Sequence, residues 1–285
     1  MKIIECPRDA MQGLQDFVPT ADKIEYINSL LKVGFDAIDF GSFVSEKAVP
    51  QMKDTVEVLA GLDLSETKSK LLAIVANKKG AEMAVQQASI SYLGYPFSVS
   101  ETFQLRNTNK TITESFALVS DIQELCHSTN KKLVVYLSMA FGNPYGDAWS
   151  IDEVAEWCSK LQKQCAVKTM ALSDTVGVST PENIKPLFET MIAALPQVEF
   201  GAHLHTTPDK WREKAESAYL AGCRRFDGAL NGFGGCPMAA DELTGNMPTE
   251  KMLELFEEMG VKTDLDSQSF EKSLEMAGRI FGRYS

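Results

Sequence analysis

Two of the three histidines in this chain of 285 residues lie two positions apart, as His203 and His205. Side chains at positions i and i+2 of an extended strand point to the same face, so both imidazoles can reach one point in space. The segment 197–200 favours a strand, and Pro208 ends it before a helical pattern begins. This spacing is typical of metal ligands, although an H-x-H pair alone also occurs as two polar residues on one surface.

Other polar residues capable of chemistry come at the ends of further predicted strands. They are Arg8, Asp9, Asp39, Asp174, Thr175 and, after the glycine-rich segment 232–237, Asn246. Each alone could be an ion pair, a helix cap or a loop residue. Two imidazoles with a carboxylate and an amide oxygen, without thiolate, suit Mg²⁺ or Mn²⁺, and Zn²⁺ is the alternative.

Short apolar runs alternate with longer segments of helical period along the whole chain. Strands are predicted at 3–6, 37–40, 71–75, 91–93, 133–138, 169–173, 198–204 and 225–229. Helices are predicted at 21–33, 49–59, 79–87, 113–128, 151–164, 181–194, 209–221 and 249–259, with an extra amphipathic helix at 267–281. Eight such units in one domain, 1–285, predict an α/β fold of the (β/α)8 TIM-barrel type with an extra C-terminal helix. A doubly wound sheet is disfavoured because no glycine-rich turn follows the first strand.

The composition restricts the class of protein. A net charge of −11 and no more than two adjacent basic residues disfavour a nucleic-acid or anionic-membrane surface. The six cysteines show no CxxC spacing, and no apolar stretch approaches the roughly 18–20 residues that cross a bilayer. Met1 leads directly into a strand-like run without a cationic and apolar leader. We therefore expect a cytoplasmic protein.

Six segments, in this order and at comparable spacing, resemble the 3-hydroxy-3-methylglutaryl-CoA (HMG-CoA) lyase family. They are Pro-Arg-Asp-Ala-Met-Gln from Pro7, Ser-Phe-Val-Ser from Ser42, Val-Pro-Gln-Met from Val49, Ser-Asp-Thr-Val-Gly-Val-Ser-Thr-Pro from Ser173, His-Leu-His from His203 and Gly-Gly-Cys-Pro from Gly234. The resemblance runs from about Ile3 to Gly260 and reaches the wider group of metal-dependent TIM-barrel carbon–carbon lyases and Claisen-type synthases. It implies retro-Claisen cleavage of HMG-CoA, or of a related hydroxyacyl thioester, to acetoacetate and acetyl-CoA.

The resemblance also implies roles for individual residues. The metal ligands would be Asp9, His203, His205 and Asn246. The catalytic residues would be Arg8, Asp39, His203 and Cys236, and the substrate contacts Gln12, Ser42 and Thr175. The reaction needs an electrostatic partner for a developing enolate, which an always-charged arginine supplies. It also needs a proton for the enolate carbon, which Cys236 can return if its glycine-rich loop closes.

Four positions depart from the pattern of that family. Asp39 and Ala10 stand where glutamate and glycine are usual, and Thr206 stands where an aspartate usually follows the second histidine. Asp16 lies in a segment that usually carries a base for the CoA phosphates. The metal-binding residues are retained, so we expect HMG-CoA to be cleaved. Because Asp39 and Asp16 depart from the pattern, we expect this cleavage to be slower, or CoA binding to be weaker, than is usual for the family.

Three alternatives stay open. An aldolase acting on a free 2-oxo or hydroxy acid would explain the missing base. An isopropylmalate-type synthase is less favoured, because the chain ends at Ser285 without the usual accessory region. An inactive metal-binding or assembly protein is disfavoured by the retained catalytic residues.

We expect a small acyl-CoA or hydroxy-acid partner and neither nucleic acid nor membrane, and a homodimer is compatible with this.

Overall fold

The computed structural model describes residues 1–235 and 244–284 and contains a closed barrel of eight parallel strands. The strands are β1 (Lys2–Glu5), β2 (Ala37–Ser42), β3 (Lys70–Ile74), β4 (Ile90–Ser98), β5 (Lys132–Ser138), β6 (Thr169–Asp174), β7 (Glu199–Thr206) and β8 (Arg225–Gly228). Each pairs with its neighbours in the chain, and β8 pairs with β1 to close the ring. The predicted TIM barrel is therefore confirmed.

Helices lie between the strands. They are α1 (Pro7–Gln12), α2 (Thr20–Val33), α3 (Thr55–Ala60), α4 (Lys78–Val85), α5 (Glu101–Thr108), α6 (Ile112–Ser128), α7 (Ile151–Cys165), α8 (Pro181–Ala194), α9 (Trp211–Leu220), α10 (Thr249–Glu258) and α11 (Ser267–Tyr284). The last is the predicted C-terminal helix, and it packs against α2. Within the described ranges, no helix is both long and apolar enough to cross a membrane.

Local sequence signals set several helix ends. Thr111 and Glu114 form a reciprocal capping box at the start of α6, and the Asn77 side chain caps α4. Gly34 ends α2 with a left-handed φ of 87°, a conformation that glycine adopts without strain.

Alternate side chains of the strands face two different cores. A small cluster packs inside the barrel and consists of Leu72, Ile74, Val134, Tyr136 and Ala171. The neighbouring positions Leu71 and Val135 belong to the large core that the strands share with the helices. Polar residues in phase with the inner cluster therefore point into the barrel, beneath its carboxyl-terminal rim.

The structure corrects several predicted elements. The segment after β1, for which no helix was predicted, is helix α1, and the helix predicted at 49–59 is a 3₁₀ turn (Pro50–Met52) followed by α3. Strand β4 continues well beyond the predicted 91–93 to Ser98, although Gly94 and Pro96 interrupt its apolar pattern. A Cβ at Gly94 would lie 2.6 Å from the Ile74 side chain, so close packing requires this glycine in the strand.

Two further elements were not predicted. Helix α5 follows Ser100, whose hydroxyl accepts a hydrogen bond from the Phe103 amide. The short strand β9 (Gly245–Asn246) pairs antiparallel with the end of β7. Both lie at the carboxyl-terminal rim of the barrel and add residues to the site described below.

Candidate active site

A cavity of about 420 Å³ lies at the carboxyl ends of the barrel strands. Among its lining residues are the predicted site residues Arg8, Asp9, Gln12, Ser42, Thr175, His203 and His205. Residues far apart in the chain thus meet at one rim because parallel strands all end there.

Helix α1 carries Arg8 and Asp9 directly after β1, and Arg8 is held by two carboxylates. Its Nε and Nη2 atoms donate to Asp39 Oδ2 at 3.0 and 2.5 Å, and its Nη1 donates to Asp9 Oδ1 at 2.8 Å. Both aspartates are buried. Asp39 therefore lies behind Arg8 and fixes the direction of the guanidinium, whereas Arg8 itself reaches the cavity.

Three side chains converge as the H-x-H spacing predicts. His203 Nε2 lies 3.8 Å and His205 Nε2 lies 3.7 Å from the same oxygen, Asp9 Oδ2. These distances are too long for hydrogen bonds. Asp9 Oδ2 is buried and accepts no hydrogen bond from the described residues, which leaves it free to bind a cation.

The donor set fits a divalent metal ion. Two ligand atoms that each lie about 2.1 Å from one ion are at most about 4.2 Å apart, and both Asp9–histidine separations fall within that limit. Imidazole and carboxylate are ligands that Mg²⁺, Mn²⁺ and Zn²⁺ accept. Asp9 Oδ2, buried and without a hydrogen bond from the described part of the chain, is the observation that favours an ion over a purely structural cluster.

Charges in the cluster favour the metal-binding protonation states. Burial alone would raise the pKa of Asp9, but Arg8 and the two imidazoles outweigh it and lower that pKa to about 2. Burial lowers the pKa of His205 to about 4, so this imidazole is neutral at pH 7. Burial raises the pKa of Asp39 to about 6 against the opposing charge of Arg8.

Asn246 approaches the cluster from β9, where it lies opposite His205 in the ladder. Its Nδ2 donates to the Phe233 carbonyl at 2.9 Å. Gly234, with φ of 86°, passes so close that a Cβ would lie 2.7 Å from the Asp9 carbonyl and 2.8 Å from Asn246 Nδ2. A glycine is therefore required where this segment meets the predicted ligands.

The predicted substrate contacts differ in whether their polar atoms already make hydrogen bonds within the protein. Gln12 is engaged within the site, since its Oε1 accepts from Arg8 at 2.8 Å and its Nε2 donates to Asp9 at 2.6 Å. The Ser42 hydroxyl oxygen accepts from the Val44 amide at 3.1 Å. Thr175 Oγ1 is buried without a hydrogen-bond partner among the described residues. Thr175 is therefore the most available of the three to a bound molecule.

Sequence reasoning missed functional candidates inside the barrel and on α5. Tyr136 lines the cavity, and its ring meets that of His203 edge-on at 5.2 Å. Arg106 and Asn107 of α5 also line the cavity. The alternation along β5 could have placed Tyr136 inward, and Ser100 followed by an acid was a helix-start signal for α5.

Some predictions concern residues elsewhere. Cys236 lies outside the described residues, so its predicted catalytic role stays a prediction. Asp16 is exposed and is not part of the cavity lining. Thr206 is buried, and its hydroxyl donates to the Thr207 carbonyl at 3.0 Å.

Comparisons with known proteins agree with this geometry. The model of the HMGL-like family matches residues 2–276. A hydroxymethylglutaryl-CoA lyase of Bacillus subtilis is 31% identical over 95% of this chain and 88% of its own length. A 3-hydroxy-3-isohexenylglutaryl-CoA/hydroxy-methylglutaryl-CoA lyase of Pseudomonas aeruginosa is 29% identical over 97% of this chain and 91% of its own. The structure of an HMG-CoA lyase from Acinetobacter baumannii, in complex with coenzyme A and 3-methylmalate, is 31% identical, with a TM-score of 0.90 over 99% of this chain and 91% of that one.

Proposed function

This chain belongs to the HMGL-like family, and from that premise we propose that it is a metal-dependent carbon–carbon lyase that cleaves HMG-CoA to acetoacetate and acetyl-CoA. The observation that carries the proposal is the convergence of Asp9, His203 and His205 beside Arg8 in one cavity. Relatives named as HMG-CoA lyases match nearly the whole chain.

The reaction places two demands on the site. The tertiary hydroxyl must lose its proton as the bond between C2 and C3 breaks, and the electron pair of that bond passes to the thioester as an enolate. A proton must then return to C2 to give acetyl-CoA. Asp9, His203 and His205 would hold a divalent ion, for which we propose Mg²⁺ or Mn²⁺, and this ion would supply the Lewis acidity that makes the hydroxyl proton easier to remove.

Arg8 meets the charge that develops on the enolate oxygen. Its guanidinium cannot lose its proton, and Asp39 and Asp9 hold it in one orientation before the substrate binds. Such pre-orientation means that little reorganisation is needed as the charge forms. Thr175, whose hydroxyl has no hydrogen-bond partner among the described residues, is suited to hold a polar group of the acyl chain.

Cys236 is the proposed proton donor to C2, on the strength of the family resemblance. Cys236→Ala should lower kcat by roughly 10²–10⁴-fold, which is the usual contribution of a positioned proton donor, with little change in Tm. The measurement is steady-state kinetics with thermal unfolding of the same sample. A large fall in Tm would instead indicate that Cys236 packs in the core.

The wall formed by α5 supports a CoA ester as substrate. Arg106 lies at the cavity, with its guanidinium 4.6 Å from the centre of the Tyr145 ring. An exposed arginine at this place can bind an anionic group of the ester, such as a CoA phosphate. Arg106 thus offers the positive charge that the segment around Asp16 lacks.

Substrate choice tests the proposal against a free-acid aldolase. The chelated protein, reloaded with Mg²⁺, Mn²⁺ or Zn²⁺, is assayed on HMG-CoA, on a thioester with a longer branch and on a free hydroxy-oxo acid. We expect a far higher kcat/KM for a CoA thioester than for the free acid. Cleavage of the free acid alone would overturn the proposal.

We also propose a cytoplasmic location. The described cysteines Cys6, Cys126, Cys158, Cys165 and Cys223 are all buried free thiols. Thiols of this kind suit a reducing compartment.

A further inference from the structure

Arg225 and Asp227 lie on the inner face of β8, beneath the proposed metal ligands. They are two positions apart on the strand and therefore point to the same side. Both are buried, with 3% and 2% of their surface exposed. The register between β7 and β8 pairs His203 with Asp227. An acid that neither lines the cavity nor faces solvent thus adjoins one of the two imidazoles.

The two ring nitrogens of His203 have different neighbours. Nδ1 lies 3.3 Å from Asp227 Oδ2, whereas Nε2 faces Asp9 Oδ2 at 3.8 Å. An ionised carboxylate can only accept a hydrogen bond, so the Asp227 contact requires Nδ1 to carry the proton. In the neutral ring, the lone pair is then on Nε2, which is the atom that faces Asp9.

Arg225 forms an ion pair with the other oxygen of the same carboxylate. Its Nη1 lies 2.8 Å from Asp227 Oδ1, and since neither atom makes a hydrogen bond within the described residues, the contact is one of charge. The guanidinium occupies space that Gly201 leaves open. A Cβ at position 201 would lie 2.7 Å from Arg225 Nη1 and 3.1 Å from its Cγ and Cδ.

We propose that Asp227, fixed by Arg225, is a positioning residue that sets the tautomer and ring orientation of His203 for metal binding. This inference rests on the proposed function, which makes His203 a metal ligand. Carboxylates behind metal-bound histidines are a recurring arrangement in metalloproteins. A buried ion pair that served only the fold would add little stability over apolar packing. It would also give no reason for Asp227 Oδ2 to lie beside the imidazole.

The tautomer of His203 gives a test that requires no change at Asp227 or Arg225. The chain has three histidines, and the exposed His127 on α6 serves as an internal reference for side-chain ¹⁵N spectra. His127→Gln and His205→Gln variants assign the signals. In the metal-free wild type at pH 9, we expect His203 to carry its proton on Nδ1. A proton on Nε2 would overturn the proposal.

Metal affinity gives the second test. Asp227→Asn should weaken Mn²⁺ binding by roughly 10–100-fold in calorimetry, as is typical when the partner of a metal ligand is removed. The matched control is Glu5→Gln, which converts another buried acid on the adjacent strand β1 to its amide. It should bind Mn²⁺ as the wild type does. Equal affinity of Asp227→Asn and the wild type would refute the positioning role.

A third variant covers the case in which Asp227→Asn does not fold, because it leaves Arg225 buried without its partner. Gly201→Ala keeps both charged residues and only displaces the guanidinium. It should weaken Mn²⁺ binding less than Asp227→Asn does, but measurably, and unchanged affinity would exclude Arg225 from the arrangement. None of these measurements uses a substrate, so their results can be interpreted even if the chain does not cleave HMG-CoA.

Discussion

Asp39 is one methylene shorter than the glutamate usual at this place, yet it contacts Arg8 through one oxygen while the other, Oδ1, has no hydrogen-bond partner among the described residues. The family resemblance implied a catalytic role for Asp39. The structure places its carboxylate behind Arg8, to which both hydrogen bonds run. Asp39 should therefore affect catalysis by orienting the Arg8 guanidinium.

Asp39→Asn should lower kcat/KM by about 10²-fold, because a guanidinium displaced by about 1 Å no longer meets the developing charge. Mn²⁺ affinity should change less than kcat/KM, since within the described residues Asp39 makes its hydrogen bonds to Arg8 and none to a proposed ligand. The control is Asp54→Asn, which breaks the buried Lys23–Asp54 pair of 2.7 Å away from the cavity. Both variants should lose stability, and only Asp39→Asn should lose activity in the folded fraction. Equal losses would contradict the proposed role.

Glu5 provides a stability test at the same scale. It accepts hydrogen bonds from the Leu230 amide and the Thr249 hydroxyl at 2.9 and 2.7 Å, yet burial raises its pKa from 4.5 to about 8. Between these pH values, the folded chain binds more protons than the unfolded chain, so this group lowers the free energy of unfolding as pH rises.

Glu5→Gln stays neutral and should therefore flatten the pH dependence of the free energy of unfolding between about pH 5 and pH 8. At pH 8.5 it should be more stable than the wild type by an amount on the order of 1 kcal/mol or more. Urea unfolding across this range measures both quantities, with the exposed Glu46→Gln as the control. A slope equal to that of the wild type would show that Glu5 is ionised in the folded chain.

At the scale of elements, α5 links the barrel to the proposed CoA site. The Asp147 carboxylate accepts hydrogen bonds from Ser100 and from the Thr102 amide at the start of this helix. The Phe103 ring stacks on Tyr145 at 6.4 Å. The loop after β5 therefore holds α5, and with it Arg106, beside the cavity.

Arg106→Ala should raise KM for the CoA ester several-fold with little change in kcat, because the lost contact is made equally before and during bond cleavage. The increase should shrink at high salt, since exposed charges are screened. Lys110→Ala removes a nearby charge that does not line the cavity and serves as the control. A KM unaffected by Arg106→Ala at low salt would place the CoA phosphates elsewhere.

The elements themselves differ in how well the sequence predicts them. The sequence predicts β5 over nearly its full length because its apolar run is uninterrupted. The predicted β4 is too short because Gly94 and Pro96 interrupt the apolar pattern. Only the close packing inside the barrel explains the glycine. Helix α5 has no clear apolar stripe, so its place at the cavity could not be seen in the sequence. The His203–His205 spacing, by contrast, is enough to predict that both side chains point to the same face of a strand.

At the scale of the molecule, the closed barrel explains why residues separated by some two hundred positions form one site. The order of strands and helices sufficed to predict the barrel and the rim on which Asp9 and His205 meet. It does not predict the layer below the rim, where Asp227 lies, because the order of elements marks only the positions just past each strand as candidates for a site. Long-range register, such as the pairing of His203 with Asp227, becomes visible only once the ring is closed.

The most direct measurement is the product balance from HMG-CoA. The wild type, after chelation and reloading with Mg²⁺ or Mn²⁺, should release acetyl-CoA and acetoacetate in equal amounts. The chelated protein and the His205→Ala variant should release neither, whereas His127→Ala should match the wild type. Full activity of the exhaustively chelated protein, or no acetyl-CoA from the metal-loaded wild type, would contradict the account.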